Sequence, residues 1–113
     1  TGAVSPGREG GGMTEFGDMV NAGAVGFTDD GTWVADGGLM SNALKYAGML
    51  GVPIITHAED RTITGSGVMH GGYWSARLGL KGMPRAGEAS AVFREIELAR
   101  ASGGHLHVAH VSS

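Results

Sequence analysis

The chain contains no cysteine, which removes disulfide staples, thiolate metal sites and thiol nucleophiles and leaves any metal to histidine and carboxylate ligands. A reduced compartment, the cytoplasm first of all, accords with that absence. Long apolar runs are missing too. The longest, such as residues 52–55, fall far below the roughly 20 needed to cross a bilayer, and the mean hydropathy is only +0.02, so neither a membrane span nor a secretory leader is expected. Basic residues are few and scattered: eight Lys and Arg against eleven Asp and Glu give a formal charge of -3. That pattern lacks the clustering that neutralises phosphates along a nucleic acid, and nucleic acid is not an expected partner.

What the sequence has in excess is glycine, 22 of 113 residues, placed at the ends of periodic segments and not massed in one block. Gly2-Ala3-Val4 opens like a strand, and a turn-rich stretch follows to Gly12. Residues 13–22 suit a short helix, with Thr14, Glu15 and Asp18 favouring its start and Gly23 stopping it. Residues 24–28 read as a buried strand ended by Asp29-Asp30-Gly31. Leu39, Met40, Ala43, Leu44, Ala47 and Leu50 then form one apolar stripe at helical spacing, with Asp36 as N-cap and Gly51 as the stop. A second strand, 52–56, carries Pro53 near its beginning, where a missing donor does least damage. It runs into His57-Ala58-Glu59-Asp60.

Residues 61–83 read as a long glycine-rich loop, with Gly65-x-Gly67 a point of flexibility that lacks phosphate-loop context. Pro84 opens a helix to about Arg100, whose inner face is expected to use Ala89, Val92, Phe93, Ile96 and Ala99. Gly103-Gly104 ends it, and 105–110 is the last strand. The order is α/β, about four parallel strands with three intervening helices. Periodicity alone does not separate an eight-stranded barrel from an open doubly wound sheet. The barrel is favoured because Asp30, His57 and His110 end successive strands, one unit further around a shared rim. A full barrel needs about 250 residues, so the chain reads as a central fragment, expected to be inactive and poorly stable by itself, with open sheet edges.

Strand parity orders the polar residues, because alternate side chains face opposite sides. With His110 towards the barrel axis, Leu106 and Val108 follow it, and His105 and His107 face away despite imitating a metal-binding His-x-His. With Asp30 inward, Ala24, Gly26 and Thr28 accompany it, Val25 and Phe27 pack outward against helices, and Asp29 points away. Two imidazoles and a carboxylate at one rim suit zinc or a similar divalent ion. Plainer roles remain for each residue: Asp-Asp-Gly is a common turn, His57 could be a hydrogen-bonded loop histidine, and His70 could be a solvated loop residue or touch substrate. Glu59 and Asp60 either orient His57 or start a short helix.

Four segments in order, Ala24-Val25-Gly26-Phe27-Thr28-Asp29-Asp30-Gly31, Gly51-Val52-Pro53-Ile54-Ile55-Thr56-His57-Ala58-Glu59-Asp60, Ser75-Ala76-Arg77-Leu78-Gly79-Leu80 and His107-Val108-Ala109-His110-Val111-Ser112, resemble the bacterial class I dihydroorotases of the amidohydrolase superfamily. The resemblance covers essentially the whole chain. It implies a (β/α)8 barrel with one or two zinc ions at its C-terminal rim, with Asp30 as the carboxylate ligand and catalytic residue and His57 and His110 as the strand-five and strand-six ligands. Spacing to His57 within the family's motif selects Asp30 over Asp29.

The implied reaction is reversible hydrolysis of the cyclic amide of L-dihydroorotate to N-carbamoyl-L-aspartate in pyrimidine biosynthesis. In it a divalent ion acidifies water and polarises the ring carbonyl. The family's strand-one His-x-His, eighth-strand aspartate and substrate-clamping arginine and asparagine have no counterparts in these residues. Expected partners are a small-molecule substrate and either a homo-oligomer or aspartate transcarbamoylase. Other superfamily members remain open, namely hydantoinase, dihydropyrimidinase and allantoinase, although they place a lysine where Asp30 stands. So do a catalytically dead scaffold subunit of aspartate transcarbamoylase and an unrelated α/β binding module.

Overall fold

A computed structural model describes residues Thr1–Ser113. After a short turn at Pro6–Arg8 come α1 (Phe16–Asn21), α2 (Gly37–Met49), β1 (Ile54–Thr56), α3 (Arg61–Thr64), β2 (Met69–His70), α4 (Tyr73–Leu78), β3 (Gly82–Met83), α5 (Arg85–Ser102) and β4 (Leu106–Val108). The extended segments pair parallel and in chain order. Gly2 bridges Phe27, Phe27 bridges Ile54, and β1 pairs with β4 in the register Ile54 to Leu106 and Thr56 to Val108. Each of these four positions thus lies beside the one before it, while β2 and β3, which fall between β1 and β4 in the chain, pair with each other in a separate sheet.

The strand expected over 24–28 contracts to the single bridging residue Phe27, and the opening strand to Gly2. On the Val25 side of Phe27, Pro53 supplies the reason. Phe27 N donates to Pro53 O at 3.1 Å and Ile55 N donates to Phe27 O at 2.8 Å. The next rung would require the amide of residue 53 to donate to Val25 O, and proline has none. Val25 does not pack outward on helices as expected; it is 72% exposed.

The core gathers behind this sheet. Val4, Phe16, Phe27, Val34, Met40, Ala43, Leu44, Ala47 and Ile54 form one buried cluster, in which Phe16 stacks on Phe27 with centroids 3.8 Å apart. The α2 stripe is as the periodicity reads: Met40, Ala43, Leu44 and Ala47 are buried, with Leu39 and Leu50 packed at the margin. Asp36 caps the helix by accepting from Leu39 N at 2.9 Å, and Gly51 leaves it with φ of 72°.

The long helix α5 lies on α2, but only part of the expected face turns inward: Ala99 packs against the core and Val92 is half-buried. Gly87, Ala91 and Glu95 are its buried residues, while Phe93 and Ile96 are 68% and 42% exposed and Ala89 is exposed as well. A polar clamp fixes this rotation. Glu95 accepts from Trp33 Nε1 at 2.9 Å and from Arg94 Nη2 at 2.5 Å, and Arg94 also donates to the carbonyls of Val34 and Ala35. The Arg94 guanidinium lies 3.9 Å over the Trp33 ring. Burial pushes the Glu95 carboxyl above its ordinary pKa, against the pull of Arg94 and Trp33.

The stretch 61–83 is not a plain loop. It folds into α3, β2, α4 and β3, with β2 and β3 pairing parallel, Met69 with Gly82 and His70 with Met83. Three of its glycines permit close approach: a Cβ on Gly82 would stand 2.4 Å from Gly71 Cα, one on Gly67 2.4 Å from Met83 Cγ and one on Gly71 2.9 Å from Met83 O, whereas Gly79 has nothing within 4 Å.

Candidate metal centre

Two adjacent aspartates leave the Phe27 strand and take opposite roles. Asp29, 4% exposed, accepts from the amides of Val4 and Ser5 at 2.8 and 3.1 Å and from Ser5 Oγ at 2.5 Å. It therefore fastens the chain after Gly2 to the chain after Phe27. Asp30 points the other way, its side chain 58% exposed. The turn that presents it is held from both sides: Arg8 Nη1 donates to Asp30 O at 2.6 Å and Arg61 Nη2 donates to Gly31 O at 2.8 Å. Gly31 completes the turn with φ of 88°, a conformation glycine adopts without steric cost.

The end of β1 delivers His57, and the end of β4 delivers His110. His57 Nδ1 lies 3.1 Å from Asp30 Oδ1 and 3.0 Å from His110 Nε2, and His110 Nε2 lies 3.1 Å from Asp30 Oδ1. The three expected ligands therefore meet, one atom from each. A tetrahedral ion with bonds of about 2.0–2.1 Å has ligand-to-ligand edges of about 3.3 Å, and an octahedral one about 2.9 Å. The observed triangle falls between these, and its nitrogen and carboxylate donors are those that zinc and similar divalent ions take. His110 reaches the triangle with φ of 33°, a strained backbone for a residue with a side chain.

Without a cation the same contacts are satisfied by protons. The hydrogen bond to Asp30 raises the His110 pKa above its ordinary 6.5. The hydrogen bond from His110, with that from the Gly31 amide, lowers Asp30 below its ordinary 3.8.

The neighbouring side chains divide by role. Glu59 Oε2 lies 3.2 Å from His57 Nε2, and Glu59 Oε1 accepts from Thr64 Oγ1 at 2.6 Å. The Thr64 hydroxyl, with His57 adding, holds the Glu59 carboxyl below its usual pKa against the effect of burial. Asp60 instead starts α3, accepting from Thr62 N at 2.9 Å. Asp60 thus takes the helix-start role, while Glu59 contacts His57. Beside the cluster lies a cleft of about 330 Å³ whose walls include His57, His70, His110, Arg85 and Glu88. His70 thus borders the cleft. His105 and His107 are exposed and Leu106 and Val108 half-buried, the alternation that parity requires; neither of those two histidines joins the triangle.

The sequence reading did not single out Glu88. Its Oε1 accepts from Ser112 N at 2.8 Å and from Ser112 Oγ at 3.2 Å, tying the first turns of α5 to the chain just beyond His110. The only sequence signal was a carboxylate in the first turn of a helix, which ordinarily serves the helix dipole.

A profile described as dihydro-orotase-like matches residues 2–113. The chain belongs to the dihydro-orotase-like family. It is 51% identical over 112 residues to the dihydroorotase of Pelotomaculum thermopropionicum, covering 99% of this chain and 26% of that protein. Against the dihydroorotase of Carboxydothermus hydrogenoformans the identity is 46% over 113 residues, all of this chain and 26% of the relative. The Syntrophobacter fumaroxidans dihydroorotase is 47% identical over 112 residues, again with 26% of its length covered. The chain thus spans about a quarter of the length of these relatives. All four motifs quoted for the resemblance lie inside the matched residues, and no helix is long and apolar enough to cross a membrane.

Proposed function

We propose that residues 1–113 are a central portion of a (β/α)8 barrel dihydroorotase, in which Asp30, His57 and His110 hold zinc at the C-terminal rim. The convergence of Asp30 Oδ1, His57 Nδ1 and His110 Nε2 within about 3 Å of one another carries this reading. The chain-order parallel pairing supports the barrel, because consecutive staves of a barrel wall adjoin in that way.

When bound, zinc supplies Lewis acidity, lowering the pKa of water and polarising an amide carbonyl. The chain's own residues set the stage for that chemistry. Asp30, as the ligand carboxylate, brings a negative charge that two imidazoles alone would lack. The rigid Asp29 anchor and the two arginine contacts hold its turn. The cleft of about 330 Å³ beside the cluster is at the small end of the range for small-molecule sites, a size that suits a single six-membered cyclic amide. His70 and Arg85 on its wall offer donors to the substrate's polar edge. The reaction is reversible hydrolysis of L-dihydroorotate to N-carbamoyl-L-aspartate.

Full-length protein carrying this segment provides the test. His57→Ala and His110→Ala are each expected to lower zinc stoichiometry and dihydroorotate hydrolysis together, by more than the 10–100-fold typical of losing an outer contact. Unchanged zinc content in both variants contradicts the ligand roles. Preference for hydantoins or dihydropyrimidines lacking the ring carboxylate contradicts the substrate.

A further inference from the structure

The histidine at the centre of the triangle is gripped on its far side as well. Glu59 Oε2 lies 3.2 Å from His57 Nε2, the ring nitrogen that faces away from Asp30 and His110. Glu59 is itself held at its other oxygen by Thr64 Oγ1 at 2.6 Å, and Thr64 is only 4% exposed. The methyl of Thr64 occupies the space where a side chain at position 87 would begin: a Cβ on Gly87 would lie 2.3 Å from Thr64 Cγ2. Asp60 N donates to Gly87 O at 3.1 Å and closes the same contact between α3 and α5. The carboxylate is thus fixed by a side chain that is itself fixed by a helix.

A neutral imidazole carries one proton, and which nitrogen bears it follows the partner at the other. Both ring nitrogens face a carboxylate, Glu59 at Nε2 and Asp30 at Nδ1. With His110 Nε2 donating to Asp30 from 3.0 Å beside Nδ1, a second N–H at Nδ1 would point at the first. The proton therefore goes to Nε2, where Glu59 accepts it, and the lone pair of Nδ1 turns towards Asp30 and His110. We propose that Glu59 is a positioning residue: it selects the Nδ1-ligating tautomer and the ring orientation of His57, and through them sets the cation affinity of the cluster. This rests on the metal-centre reading above. Carboxylates that hold a ligand histidine from behind act in this way in metal sites generally.

The test uses full-length protein freed of metal, with zinc alone as the probe, in the wild type and in Glu59→Ala, Glu59→Gln and Thr64→Val. Zinc affinity is read by competition with a chromophoric chelator. The His57 tautomer is read from long-range proton–nitrogen NMR correlations of the metal-free protein. Glu59→Ala is expected to weaken zinc binding by about 10–100-fold, and Glu59→Gln, whose amide oxygen still accepts from Nε2–H, to recover most of that loss. Thr64→Val, which keeps the packing at Gly87, is expected to show a smaller loss, and His57 of the wild type to carry its proton on Nε2. If Glu59→Ala does not fold, the wild-type tautomer and Thr64→Val decide.

A wild type that binds zinc tightly while Glu59→Ala binds it within about twofold overturns this inference alone. So does a wild-type proton on Nδ1, or equal losses in the alanine and glutamine variants, which would assign the effect to charge and not to orientation. A wild type with no zinc affinity overturns the metal centre itself.

Discussion

At the scale of single residues, the chemistry turns on the difference between Asp29 and Asp30. The two are neighbours of the same type, and only their surroundings separate them: one accepts three buried hydrogen bonds, and the other is half in solvent facing two histidines. Motif spacing within the family resemblance pointed to Asp30, and the geometry places it with His57 and His110. The tie from Asp29 to Ser5 was not legible, because nothing local in Val4-Ser5 announces a partner some 24 residues away. The Asp30–His110 contact also has a consequence for pH. Raised above 6.5 in the metal-free cluster, His110 is still protonated on its ligating nitrogen at pH values where a free imidazole would be neutral. A cation must displace that proton, so affinity falls as pH falls. Zinc affinity of the full-length protein is therefore expected to rise with pH through 6.5 and beyond, levelling only above the raised His110 pKa. In His110→Gln that rise is expected to be shallower. Titration at fixed ionic strength checks this, and a wild-type affinity that is flat between about pH 6 and 8 contradicts it.

At the scale of elements, the helices were legible where one apolar stripe met one cap. Helix α2 is such a case, with Asp36 before it and Gly51 after it. Helix α5 was placed correctly along the chain, but its inner face was legible only at Ala99, and Phe93 and Ile96 were misjudged. Phe93 and Ile96 outrank Gly87 and Glu95 on any apolar scale, yet the buried face was decided by Trp33 and Arg94, partners that periodicity does not see. The same holds for 61–83, where Gly67, Gly71 and Gly82, read as part of a loop, are points of close contact.

Gly87 shows what such a contact is worth. Alanine inside a helix is ordinarily favoured over glycine by about 0.5–1 kcal/mol. Here the added carbon would meet the Thr64 methyl at 2.3 Å, and overpacking of a tight contact costs about 1–3 kcal/mol. The clash therefore outweighs the propensity. Gly87→Ala in the full-length protein is expected to lower Tm by a few degrees and to weaken zinc binding with it, because Thr64 cannot move without moving Glu59. A raised Tm with unchanged zinc affinity contradicts that order of effects.

At the scale of the whole molecule, the chain-order pairing of Gly2, Phe27, β1 and β4 brings three strand ends to one edge of the sheet. That is why residues 27 and 53 positions apart in sequence share a site. The shape is open: the radius of gyration is 15.2 Å, against about 13 Å for a globular domain of this length. Val25, Met49 and Phe93 stand exposed on it. In a closed barrel such surfaces meet further strands and helices, and that closure is also what would complete the walls of the cleft. The fold class and the three converging residues were readable from sequence because both depend on local pattern and motif order. The outward-facing surfaces were not, because periodicity marks a residue as apolar without naming what covers it.

The central claim is that one cation is shared by three strand ends, and anomalous diffraction at the zinc edge from crystals of the full-length protein measures this directly. The account predicts a peak within about 2.0–2.2 Å of Asp30 Oδ1, His57 Nδ1 and His110 Nε2 together. A peak bound elsewhere, or a zinc-loaded protein in which any of these three atoms turns away from the metal, contradicts it.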